Sequence, residues 1–285
     1  MGYTSYSVEN RSMRSTSMGY HTKDVDEIFV QNKKRQIHES MNPEGIKFRE
    51  CRDSEAHPNS TPIIIALDVT GSMGEIPHEM IKDGLPTMMS KLIEEKVEDA
   101  AVLFVAVGDH VYDRAPLQVG QFESGDEELD MWLARTYLEG GGGGNFGESY
   151  HLAWYLAARH TAMDSLEKRN RKGFLFTIGD EPVLKTLPKS AIKEIFNEDI
   201  QDNINIEDLL EEVQQKYNVF HLHITEGFHG EDALKGWQTL LGQRCIKLSS
   251  YKKVAETIAS TVLSHKTETQ QTVNTSTNSE TETML

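Results

Sequence analysis

This chain has little that would staple or anchor it. Two cysteines, Cys51 and Cys245, in 285 residues are too few for a disulfide framework, so a packed core must carry the fold. No run of about 18 apolar residues occurs, which argues against a helical membrane span. Residues 1–20 are rich in Ser, Tyr, Met and Arg and contain no apolar h-region. A secretory signal is therefore not expected, and a cytoplasmic location is. Basic residues are scarce too: 29 Lys and Arg stand against 45 Asp and Glu, a net charge of −16. Residues 1–57 hold nine of each sign, so the whole acidic excess falls on the remainder. Such a surface repels phosphate backbones, which argues against a nucleic-acid partner, and it attracts divalent cations.

What the chain does have is concentrated first in residues 62–74, Pro-Ile-Ile-Ile-Ala-Leu-Asp-Val-Thr-Gly-Ser-Met-Gly. A continuous apolar run that ends in turn residues reads as a strand buried on both faces. Just past its end come Asp68, Thr70 and Ser72, hard oxygen donors on a tight loop. That donor set suits Mg²⁺, Mn²⁺ or Ca²⁺ rather than a thiol-seeking metal. The same residues also suit helix capping with no metal at all. Residues 140–148 then read five glycines, Asn145, Phe146, Gly147 and Glu148, ahead of a helical pattern. No Gly-Lys-Ser/Thr follows, so this is not a P-loop. A turn that lets the backbone approach a ligand is the plainer reading. A third buried run, 174–178, ends in Gly179-Asp180-Glu181.

Strand patterns at 62–68, 100–107, 173–178, 219–225 and 245–248 alternate with helical patterns. Gly84 and Pro86 should kink or split the helix after the first loop. The alternation predicts an α/β fold: a doubly wound, mainly parallel sheet with helices on both faces. Ligands of such sheets bind beyond the strand C-termini, where the strand order reverses. Asp68, Asp109 and Asp180 each follow a strand directly. The expected organisation is a disordered tail over 1–21, an extension and linker over 22–59, one domain over 60–265, and a disordered tail over 266–285. Within the extension, Thr22 is expected to cap a short helix, and Ile46 and Phe48, alternating with Lys47 and Arg49, to form a short edge strand. His221 and His223 share a strand face with His229 nearby. His-x-His can bind zinc, but no third ligand stands at a reliable spacing, so packing or hydrogen-bonding roles are expected.

Asp-x-Thr-Gly-Ser after a buried strand resembles the metal-ion-dependent adhesion site of von Willebrand factor type A domains, whose signature is Asp-x-Ser-x-Ser. One branch of that family has Gly-Gly-Gly-Asp-x-Pro-Glu in its second loop. Here Asn145 stands at the Asp and Glu148 at the Glu. The third loop, Thr-Ile-Gly-Asp-Glu, ends in Asp180, where the family places its last acidic ligand. The resemblance covers about residues 60–265, one ordinary domain. It implies a metal set of Asp68, Thr70, Ser72, Asn145 and Asp180, with Asp109 and Glu148 standing behind the ligands. It also implies a divalent cation, Mg²⁺ or else Mn²⁺ or Ca²⁺, that receives an Asp or Glu from a protein partner. An AAA+ ATPase is one such partner by family analogy. The implied function is a binding module or adaptor. The alternatives are a metal-dependent hydrolase or phosphatase, and a structural domain with a vestigial site. Thr70 stands where a dehalogenase-type phosphatase needs a second Asp, and Asn145 favours the vestigial reading.

Overall fold

The computed structural model describes residues 4–97, 99–140, 147–226 and 230–265. Along the chain come α1 (Val8–Met18), α2 (Val25–Ile28), α3 (Gln31–Lys34), β1 (Arg49–Cys51) and β2 (Thr61–Asp68). A 3-10 turn, Gly71–Gly74, leads into α4 (Glu75–Glu79), a π-turn at Met80–Gly84, and α5 (Leu85–Glu94). Then follow β3 (Ala100–Val107), β4 (Leu117–Val119), α6 (Asp126–Ala134), α7 (Tyr150–Arg159), β5 (Thr161–Met163) and α8 (Asp164–Glu167). The last part holds β6 (Gly173–Gly179), β7 (Thr186–Leu187), α9 (Lys189–Phe196), β8 (Ile204–Asn205), α10 (Ile206–Gln214), β9 (Tyr217–Ile224), α11 (Gly230–Leu241) and β10 (Cys245–Leu248). A closing helix, α12, covers 254–265.

Six strands form the central sheet in the order β10-β9-β6-β2-β3-β4, all parallel except β4, which runs antiparallel to β3. The chain moves from β2 to β3 on one side and returns to place β6 on the other, so the order reverses at β2. Helices cover both faces, which is why β2 shows no apolar–polar alternation. Ile63, Ile65 and Leu67 pack into one core with α4, α5 and α12. Ile64 and Ala66 pack into the other, with α7, α9 and α10. Gly84 and Pro86 do interrupt the first helix: the break is the π-turn, which leaves backbone carbonyls without their usual partners.

The N-terminal segment departs from expectation. Residues 4–21 do not form a disordered tail, and residues 1–3 lie outside the described residues. Residues 8–18 are helical, with Ser7 Oγ accepting the Asn10 N–H at 3.2 Å and Gly19 closing the helix at φ +71°. Apolar periodicity misses this helix because charge holds it. Arg11 is buried, its Nε 2.7 Å from Asp130 Oδ1, while its Nη2 donates to the Ile81 carbonyl that the π-turn exposes. Arg14 pairs with Asp126 at 2.6 Å, and the Ser7 N–H bonds the same carboxylate at 3.1 Å. The extension also differs in detail. Asp24, not Thr22, caps the next helix, through a reciprocal bond with Glu27. The short strand lies at Arg49–Cys51, paired in parallel with β5. The expectation for 266–285 falls outside the described residues. No helix among the described residues is long and apolar enough to cross a membrane.

Candidate metal site

Three strand ends converge beside the reversal of strand order. β2 delivers Asp68, which is fully buried. Its Oδ1 accepts the Thr70 backbone N–H at 2.9 Å and the Thr70 hydroxyl at 2.7 Å, and its Oδ2 accepts the Tyr150 hydroxyl at 2.7 Å. Gly71 adopts φ +43°, a conformation that disfavours side chains, and turns the loop into the 3-10 segment carrying Ser72. Backbone bonds stitch the loops together. Glu139 N–H bonds the Val69 carbonyl at 3.1 Å, Ser149 N–H the Gly108 carbonyl at 3.3 Å, and Glu148 N–H the Pro182 carbonyl at 3.0 Å.

Glu148 enters more closely than a helix-start residue would. It is buried, and its Oε1 lies 3.2 Å from the Thr70 hydroxyl, which is shared between this oxygen and Asp68. Asp180, at the end of β6, is buried, and its charge acts on Asp68 and Tyr150. Asp109 is buried after β3, with Oδ1 accepting the Val111 N–H at 3.0 Å. Asp113 Oδ2 in turn accepts the Asp109 N–H at 2.7 Å. The structure thus brings Asp68, Thr70, Glu148 and Asp180 together, with Asp109 alongside. Ser72 is placed on the adjoining turn, and Asn145 lies outside the described residues.

The electrostatics are those of crowded acids. Burial raises the Asp68 and Glu148 pKa values; the Asp180 charge adds to the rise at Asp68, and the charges of Asp68, Asp113 and Asp109 add to the rise at Glu148. Two buried oxygens, Glu148 Oε2 and Asp109 Oδ2, have no hydrogen-bond partner among the described residues. A divalent cation fits such a cluster: it supplies the missing positive charge and takes hard oxygen donors. Among the described residues no three His, Cys, Asp or Glu side chains make a metal cage by themselves. A cation held here would therefore draw on a hydroxyl oxygen as well, and Thr70 places one inside the cluster.

Sequence reasoning overlooked Tyr150 and Gly179. A Cβ on Gly179 would lie 2.0 Å from the Tyr150 hydroxyl and 2.8 Å from Asp68 Oδ2, so only glycine leaves room for that pair. The motif Thr-Ile-Gly-Asp-Glu contained the signal, because a glycine closing a buried strand marks close approach. The histidines form a buried relay of hydrogen bonds. His223 Nε2 reaches the Gly230 carbonyl, which only accepts, so Nε2 carries the proton. His223 Nδ1 then accepts from His221 Nε2 at 3.2 Å, and His221 Nδ1 accepts the Thr177 hydroxyl at 2.9 Å. His221 also stacks on Trp237 at 3.6 Å. His229 lies outside the described residues.

No family profile and no curated protein sequence matches the chain. Solved structures do resemble it. The pilus adhesin SpaC from Lactobacillus rhamnosus GG aligns at 9% identity and a TM-score of 0.49, over 75% of this chain and 31% of that one. A von Willebrand factor type A protein from Catenulispora acidiphila aligns at 15% identity and TM-score 0.38, over 72% and 42%. Proximal thread matrix protein 1 from the mussel byssus, described with a zinc-occupied MIDAS motif, aligns at 10% identity and TM-score 0.38, over 75% and 48%. The chain thus spans a third to a half of the length of these three. Scores this low carry no argument about function. The sheet order, the reversal at β2 and the three loops beyond it are the observations on which the fold rests, and that fold is von Willebrand factor type A-like.

Proposed function

We propose that this chain is a divalent-cation-dependent protein-binding module. The observation that carries the reading is the convergence of Asp68, Thr70, Glu148 and Asp180 at one sheet edge as a crowd of acids. Thr70 and Ser72 would hold the ion directly, Asp68 and Asp180 directly or through water, and Asn145 would complete the set from the second loop. Asp109 and Glu148 would brace these ligands. Mg²⁺ is the cation we favour, with Mn²⁺ or Ca²⁺ as substitutes, because every donor is a hard oxygen. The ion would supply a site for a carboxylate of a protein partner, and a hard cation with few anionic ligands gains from one. An AAA+ ATPase in the cytoplasm is the partner class and setting this reading favours.

The test is thermal unfolding of chelator-treated protein with and without Mg²⁺ or Mn²⁺. Binding to the native state alone stabilises by about 2.7 kcal/mol at a concentration of 100 Kd. For a chain of this size that raises Tm by about 5–11 °C. Thr70→Ala should lose most of the increase while melting normally without metal. A wild-type protein indifferent to millimolar Mg²⁺ and Mn²⁺ would leave the vestigial reading standing instead.

A further inference from the structure

The third loop, which carries Asp180, leaves the sheet where β6 ends at Gly179. Beyond that point two successive carbonyls tether it. The Pro182 carbonyl accepts the Glu148 N–H at 3.0 Å, from the second loop. The Glu181 carbonyl accepts the Trp237 indole N–H at 3.0 Å, from α11, a helix that carries none of the candidate ligands. Trp237 is fully buried, and its ring is fixed by its neighbours. His221 stacks flat on it, ring centroids 3.6 Å apart, and is itself held by Thr177 and His223. The Tyr150 ring meets it edge-on at 5.4 Å, and the Tyr150 hydroxyl donates to Asp68 Oδ2 at 2.7 Å. Trp237 thus touches both the residue after Asp180 and the side chain that holds Asp68. Trp154 supplies the contrast. It is equally buried and packs against Trp237 at 6.1 Å, yet its indole N–H has no hydrogen-bond partner among the described residues.

We propose that Trp237 is a positioning residue of the cation site. Its N–H sets the loop that presents Asp180, and its ring sets Tyr150 and, through it, Asp68. Removing the N–H leaves a loop carbonyl unpaired and frees the loop to settle elsewhere. Outer partners of this kind orient the groups that hold a metal. This role rests on the cation reading under Proposed function. Helix α11 then controls cation affinity from outside the ligand loops, and by linkage a bound cation tightens Trp237 on its carbonyl.

The probe is Mn²⁺, titrated into chelator-stripped full-length protein, with the free ion read by its paramagnetic resonance signal. Trp237→Phe keeps an aromatic ring and removes the N–H. It should weaken Mn²⁺ binding about tenfold, the low end for partners that orient metal ligands. Trp154→Phe is the matched control, the same truncation at an equally buried position without a lost hydrogen bond. Both variants should lower Tm in chelator, since each opens a buried cavity, but Trp154→Phe should leave the Mn²⁺ dissociation constant unchanged. A second measurement needs only wild-type protein. Its three indole N–H signals are followed by ¹H–¹⁵N resonance, with Trp132→Phe and Trp154→Phe assigning two and leaving Trp237 as the third. The Trp237 signal should shift, and its proton exchange more slowly with solvent, as Mg²⁺ is added. If Trp237→Phe does not fold, that signal decides alone. Equal Mn²⁺ affinity in wild type and Trp237→Phe, or an equal loss in Trp154→Phe, overturns the proposal and leaves the cation reading intact. So does a Trp237 signal indifferent to Mg²⁺ in a wild type that binds the ion. A wild type that binds neither ion sinks the cation reading and this role with it.

Discussion

Replacing Arg11 by Ala tests whether the N-terminal helix is part of the folded unit. Arg11 and Asp130 are both almost fully buried, at 1% exposure each. Deleting the guanidinium leaves a buried carboxylate and an uncapped Ile81 carbonyl. Removing one partner of a buried ion pair costs about 3–5 kcal/mol. The low end, about 3 kcal/mol, is expected, because Arg14 Nη1 remains 3.4 Å from Asp130. For a chain this size Tm should fall by about 6–12 °C. The deficit should depend on pH with a definite sign. Burial already raises the Asp130 pKa to about 6, outweighing both arginines. Without Arg11 it climbs further, so ionised Asp130 weakens the fold above that pKa, and protonation relieves the cost below it. The loss should therefore be largest at neutral pH and above and shrink as pH falls. Urea unfolding across that range measures it, with Lys23→Ala as an exposed control. Arg11→Met combined with Asp130→Leu should recover much of the loss, since an apolar pair of similar volume is often neutral or better. An Arg11→Ala protein within about 0.5 kcal/mol of wild type at every pH, as a surface change would be, would refute the docking argument.

Gly179→Ala should cost about 1–3 kcal/mol, the range for overpacking, and should also erase the Tm response to Mg²⁺ by displacing Tyr150 and Asp68. A variant that melts lower yet keeps the full cation response would show that this close approach does not build the site. Buried His221 and His151 are held neutral, burial pushing His221 well below its usual pKa and His151 down to about 3. Their unfolded pKa is about 6.5, so the stability they allow is complete above that pH and is lost below it, by about 1.4 kcal/mol per pH unit for each. His221→Gln should flatten the acid slope by one such share in urea titrations, and an unchanged slope would mean that the relay does not exclude the proton.

The sequence determined the sheet and the position of the site. Ile63–Leu67, Val102–Val107 and Phe174–Ile178 are unbroken apolar runs because both faces are covered, and that signature needs no knowledge of neighbours. Each run closes in Asp68, in Gly108-Asp109 or in Gly179-Asp180, so parallel order alone carries these acids to one edge. The tertiary structure decided what pairs across distance. Helix α1 has a polar surface and docks through Arg11 and Arg14 on carboxylates more than 110 residues away, and no local period records a contact of that kind. Glu148 resembles a helix-start residue in sequence, but its bridge to the third loop and its approach to Thr70 bring it into the acidic cluster. Arg35 and Arg114 line one cleft with Gly71 only because the extension folds back beside the loop after β2. Hydrophobic burial is written in periodicity along the chain; buried charge pairs and shared clefts depend on which surfaces meet, and that is fixed only when the chain is folded.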